Sequence, residues 1–169
     1  RSSLQYLSIP LLDTSGIYNY NNLFKNCKSL TSLALPSFNT DTIMSFSGMF
    51  YGCSKLTSLD LSHFDPSYAT IFDSMFEGCE SLSSLSLKNF ITTNAKSMSN
   101  MFKDCKSLTS LDLSYLKTDN VETMEKMFYS CNSLTSLDLS KFITTKVTNM
   151  AQMFYEINSM NILDISNFE

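Results

Sequence analysis

Apolar residues along the chain follow two alternating rhythms. Between Leu56 and Phe64, Leu59 and Leu61 alternate with Ser58, Asp60 and Ser62, the period of a short half-buried strand whose polar side chains face outward. Between Thr118 and Phe128 the spacing changes, and Val121, Met124, Met127 and Phe128 recur at steps of three and four residues. That spacing predicts a short amphipathic helix, with Thr118 or Asp119 as its N-cap. Cys131 and Leu134 then lead into the next strand. Each unit therefore reads as strand, turn, short helix and return.

The unit repeats with a strict 26-residue period. Cys27, Cys53, Cys79, Cys105 and Cys131 form one column, and Phe24, Phe50, Phe76, Phe102, Phe128 and Phe154 form another. Leucine columns run through Leu30, Leu56, Leu82, Leu108 and Leu134, through the seven residues from Leu7 to Leu163, and through Ile9, Leu35, Leu61, Leu87, Leu113, Leu139 and Ile165. No single unit can bury its apolar face alone, and stacking neighbours buries it. Residues 1–169 are thus expected to form one solenoid of about six and a half repeats. Its strands, centred near residues 7–9, 33–35, 59–61, 85–87, 111–113, 137–139 and 163–165, should lie in a single parallel sheet spaced about 4.8 Å apart, giving an array roughly 30 Å long. The sheet would form one face and the helices the other.

The run Met-Phe-x-x-Cys-x-Ser-Leu-Thr-Ser-Leu-Asp-Leu-Ser, at Met101–Ser114 and again at Met127–Ser140, resembles the 26-residue, BspA-like class of leucine-rich repeats. The resemblance covers nearly the whole chain. It implies an α/β leucine-rich-repeat solenoid, and it implies membership of a group of bacterial and protist surface or secreted proteins, many of them adhesive, with no catalytic residues to carry over. Departures fall at Arg1 and Ile157 in the cysteine column, at Pro36 and Lys88 in place of the strand-end serine, and at Leu116 in place of phenylalanine.

Charge narrows the partners. With 12 Lys and Arg against 16 Asp and Glu, the net charge is −4, and the scattered cations supply no basic field for nucleic acid or anionic lipid. No apolar run approaches the roughly 18–20 residues of a membrane span, and the start lacks an apolar secretion segment. Because it also begins without methionine, the chain reads as a piece of a longer protein whose targeting and anchoring segments lie elsewhere.

The chemistry-bearing residues mostly have structural explanations. The five cysteines share a column flanked by apolar ones. Neighbouring coils could bring them within disulfide range, but parallel side chains in a stack do not point at one another, so free buried thiols are expected. Zinc would need converging Cys or His ligands, and no cysteine pair lies closer than 26 residues. His63 shares its column with Ser37, Asn89, Tyr115, Lys141 and Asn167, the variety of a solvated position and not of a catalytic base. Four glycines form no phosphate loop. The methionine columns, Met98, Met124 and Met150 with Phe46 and Phe72, and Met49 to Met153, interchange with phenylalanine as core residues do.

Two surfaces remain as candidates. The outward strand face is small, polar and acidic, and Asp60, Lys88, Asp112, Asp138 and Asp164 are its partner-binding candidates. Like charges a strand apart repel. Either neighbouring serine hydroxyls or a bound cation or basic partner should relieve that repulsion, although three carboxylates on an open face make at best a loose calcium site. Tyr51, Tyr129 and Tyr155 share a column with Lys25, Glu77 and Lys103, and so are expected to be exposed lateral anchors. The sequence thus predicts a non-enzymatic extracellular recognition or adhesion module without cofactor, for a protein or glycan ligand. The alternative is a structural or scaffolding segment that spaces or assembles other domains, for instance by end-to-end association through uncapped repeats.

Overall fold

The computed structural model describes residues 4–9, 16–35 and 39–169; Arg1, Pro36 and Ser37, singled out above, lie outside them. Six three-residue strands occupy the leucine columns: β1 (Tyr6–Ser8), β2 (Ser32–Ala34), β3 (Ser58–Asp60), β4 (Ser84–Ser86), β5 (Ser136–Asp138) and β6 (Ile162–Asp164). All pairings are parallel and offset by one repeat, as in Leu7 with Leu33, Leu59 with Leu85 and Leu137 with Leu163. The central leucine points inward while its neighbours point out. The expectation of one seven-stranded sheet is corrected: residues 111–113 form no strand, and the strands divide into a four-stranded sheet, β1 to β4, and a two-stranded sheet, β5 and β6. Nothing in the Ser110-Leu111-Asp112-Leu113 sequence explains the break.

The helices are corrected as well, since the described residues contain none. The Met-Phe segment instead forms a second parallel ladder that runs without interruption through Asn19, Ser45, Ile71, Ser97, Thr123 and Asn149. From there, alternate amides reach across to the following coil: Phe46 N–H to Ile71 O, Gly48 to Asp73, Phe50 to Met75 and Gly52 to Glu77, at 2.7–3.0 Å. The intervening amides close tight turns three residues back, as Met49 does to Phe46, Tyr51 to Gly48 and Cys53 to Phe50.

The turns closed by Met49 and Cys53 hold a left-handed residue at their third position, Gly48 and Gly52, where glycine or asparagine is favoured. Two columns supply it in every coil. Asn22, Gly48, Ser74, Asn100, Lys126 and Gln152 have φ between 54° and 61°, and Asn26, Gly52, Gly78, Asp104, Ser130 and Glu156 have φ between 56° and 73°. A right-handed helix cannot pass through two such residues four positions apart. At Gly52 the close approach of the preceding coil adds a second reason for glycine, because a Cβ there would sit 2.5 Å from Asn26 Oδ1.

The core is a set of ladders between the two bonded edges. Phe24, Phe50, Phe76, Phe102, Phe128 and Phe154 stack with centroids 5.5–6.0 Å apart and planes within 9°. Methionines in the helix-assigned columns are buried from Met49 through Met127; Met150, expected in the core, is partly exposed on the last coil. All five cysteines are free. Cys53, Cys79, Cys105 and Cys131 are buried, and each thiol donates to the carbonyl of a phenylalanine 29 residues earlier, for instance Cys105 to Phe76 at 3.3 Å. The sulfurs are thereby aimed at backbone and not at one another. Cys27 is only half-buried.

Thr118 is not an N-cap. It belongs to a column of buried threonines, with Thr40, Thr92 and Thr144, that pins one coil to the next. Thr118 Oγ1 donates to Ile143 O at 3.0 Å and accepts from Ile143 N–H at 2.7 Å; Thr92 makes the same pair of bonds to Lys117. Pro66 interrupts the column, and without a hydroxyl to meet it the Ile91 amide turns back to Asn89 O, with Asn89 at φ 63°. Thr118→Val keeps the shape but strands both Ile143 groups, so a loss of about 1–3 kcal/mol is expected in urea unfolding. Thr145→Val, on the exposed neighbour, should change stability by no more than about 0.5 kcal/mol.

Candidate functional site

Each strand-face aspartate closes a local turn. Asp60, Asp112, Asp138 and Asp164 accept through Oδ1 from the amides of Ser62, Ser114, Ser140 and Ser166 at 2.9–3.0 Å, the Asx turn that an Asp-x-Ser sequence favours. These bonds hold the carboxyls of Asp60, Asp112 and Asp138 below their ordinary range. At Asp60 the Ser62 amide is the main cause, and at Asp112 and Asp138 the serine hydroxyl two residues on leads, followed by its amide. Asp138 pushes the Asp112 carboxyl the other way, but weakly enough that the local bonds win. The repulsion expected along this column is thus offset within each turn.

The candidates are not brought together as one site. Asp138 and Asp164 are register partners on β5 and β6. Asp112, within the break, shares a small cleft of about 150 Å³ with Ser114, Asp138 and Lys141. Asp60 lies in the other sheet, opposite Ser86, in a cleft with Ser58 and Ser84. Lys88 is exposed just past β4.

The lateral column is a chain of contacts between coils. Lys25 Nζ sits 4.8 Å from the Tyr51 ring centroid, Lys103 pairs with Glu77 at 2.8 Å while lying 5.8 Å from the Tyr129 ring, and Tyr129 stacks on Tyr155 at 5.2 Å. Covered in this way, Tyr51 and Tyr129 are half-buried, contrary to the expectation of exposed anchors; Tyr155 is exposed. Tyr51 faces a cleft of about 380 Å³ with Glu77, Glu80 and Asp104 and stands three coils before Tyr129.

His63 is exposed, its ring edge-on to Phe64 at 5.1 Å and its Nε2 against Leu35 O. Burial pushes the Cys53 and Cys131 thiols up to about 12, with Cys79 and Cys105 also raised, so no reactive thiolate stands in the core. Among the described residues no three His, Cys, Asp or Glu side chains converge to hold a metal ion, and no helix is long and apolar enough to cross a membrane.

Against known families, residues 2–110 and 82–169 both match the one described as "Mycoplasma protein of unknown function, DUF285". The chain belongs to the DUF285 family. No curated protein matches this DUF285 chain. Solved structures similar to it include a leucine-rich-repeat protein of T. pallidum (15% identity, TM-score 0.49, 95% of this chain and 58% of that one). A leucine-rich-repeat protein of Bacteroides ovatus (17%, 0.40, 94% and 54%) and a leucine-rich cell-surface protein of Faecalibacterium prausnitzii (16%, 0.36, 98% and 60%) are also similar. The DUF285 chain spans between 54% and 60% of their lengths.

Column reading passed over one surface. Tyr18, Asp41, Thr42, Met44 and Tyr68 line an open cleft of about 520 Å³. The available signal was a departure from the columns: where Tyr18 and Met44 stand, later coils carry Thr70, Lys96, Glu122 and Thr148, and where Tyr68 stands they carry Asn94, Asn120 and Lys146.

Proposed function

We propose that this segment is a non-enzymatic recognition or adhesion module of a cell-surface or secreted protein, presenting a rigid repeat face to a protein or glycan partner. The observation that supports it is the strand-face carboxylate array, in which Asp112, Asp138 and Asp164 are each held in one orientation by an Asx turn. Side chains fixed before contact lose little freedom on binding, and repetition lets weak contacts act together.

Changing Asp112, Asp138 and Asp164 together to Asn tests this on arrays of extracellular-matrix proteins and of glycans. Loss of capture, with the fold intact, is the expected result; capture equal to the unmodified protein's would overturn the assignment of the face. The triple change should also lower the melting temperature slightly at neutral pH. A carboxyl with a lowered pKa stabilises the fold above its unfolded value, near 3.8 for Asp112 and Asp138, and that stabilisation disappears as pH falls through the folded value. The melting-temperature difference between the two proteins should therefore vanish in acid.

A further inference from the structure

Tyr18, Met44 and Tyr68 are among the most exposed large apolar side chains described, at 63%, 59% and 66%. All three line the same 520 Å³ cleft. They are not elements of the repeat, since equivalent positions elsewhere are threonine, lysine, glutamate or asparagine, and the solenoid stacks there without them. The backbone beneath is fixed: Met44 N–H donates to Tyr18 O at 2.8 Å, Thr70 N–H to Met44 O at 3.0 Å, and Thr42 Oγ1 to Ile17 O at 3.3 Å. The cleft is therefore a shaped surface on a rigid edge. Exposed apolar side chains gathered in one place mark a surface that gains when it is covered.

We propose that this cleft binds a neutral sugar. The proposal rests on the reading of the chain as a recognition module and names a site apart from the strand face. Size favours a small ligand: a stable protein interface takes roughly 20–30 residues a side, whereas a cleft of roughly 300–1,000 Å³ is the scale of a small-molecule site. Chemistry favours a sugar. Tyrosine rings offer flat apolar faces to the C–H side of a pyranose and hydroxyls to its polar rim. The Asp41 carboxylate accepts hydrogen bonds from sugar hydroxyls and repels anionic sugars, and the Met44 thioether adapts to an irregular outline.

Methyl-labelled methionine makes Met44 a reporter within the cleft. Maltotriose, cellotriose, tri-N-acetylchitotriose and lactose at about 10 mM cover the affinity range of a shallow site. A saturable shift of the Met44 methyl with at least one sugar is expected, weakened tenfold or more by Tyr68→Ala and abolished by Tyr18→Ala with Tyr68→Ala. Both tyrosines are exposed, so these variants keep the fold. No Met44 shift with any of the four sugars, an undiminished shift in the double variant, or a shift produced only by a short apolar peptide would each overturn the proposal. None of these outcomes touches the strand-face reading, which stands or falls on the aspartate triple variant.

Discussion

Phe102→Ala is expected to destabilise the protein by about 3–5 kcal/mol, the range for emptying a fully buried aromatic site. Phe102 is completely buried and stacks on two neighbours, Phe76 at 5.5 Å and Phe128 at 5.6 Å. Such stacking adds about 0.5–1.5 kcal/mol per pair beyond area burial. The backbone around it bonds to the coils on both sides, so the cavity cannot collapse without breaking ladder bonds. Phe154, half-buried and, among the described residues, stacked on Phe128 alone, should lose about half as much on the same change. Denaturant unfolding of both variants checks the contrast; equal losses would mean that the column does not stack through the whole array.

Alkaline pH should weaken the fold steeply through the cysteine column. The Cys53 and Cys131 thiols are raised from 9.0 to about 12, chiefly by burial, and Cys79 and Cys105 are raised for the same reason. Above pH 9 the unfolded chain sheds these protons while the folded chain retains them, so the unfolded state binds fewer protons and stability falls as pH rises. Each such thiol contributes a slope of on the order of 1.4 kcal/mol per pH unit between its unfolded and folded values. Urea midpoints should hold steady from neutrality to about pH 8.5 and then drop sharply. Cys105→Ala removes one thiol from the titration and should flatten the drop by about one proton's worth, even though it lowers stability at neutral pH. An unchanged slope in that variant would contradict burial of the column.

The core was legible in the sequence because ladders are columns. Residues that meet only their own kind in the next coil, such as the phenylalanines and inner leucines, must repeat at the period, and they do. The second ladder was misread as helix because overlapping turns closed three residues back place Val121, Met124 and Met127 on one side just as a helix would. The distinguishing mark was present in Asn22 and Gly48, and in Asn26, Gly52 and Gly78, turn-forming residues recurring four positions apart within a coil. The aspartates were read as a repelling row that neighbouring serine hydroxyls could relieve, and Ser114 and Ser140 do so at Asp112 and Asp138; the serine amides, which make the Asx turn of Asp-x-Ser, were missed. Contacts between coils with unlike residues, such as Glu77 with Lys103 or Lys103 over Tyr129, have no period to betray them. The missing strand at residues 111–113 left no mark, since Ser110-Leu111-Asp112-Leu113 repeats the sequence that forms β5, whereas the Tyr18, Met44 and Tyr68 cleft was legible only as a departure from its columns.

Presentation of any rigid face depends on coils joined along two parallel ladders with no helix between them. Scalar couplings measured across hydrogen bonds by NMR address this directly, because each coupling names the donor and the acceptor. The Phe128 amide should couple to the Met153 carbonyl in the following coil, the Phe102 amide to Met127 and the Phe76 amide to Met101. Coupling of the Phe128 amide to the carbonyl of Met124, four residues back, would show a helix in that segment and contradict the account.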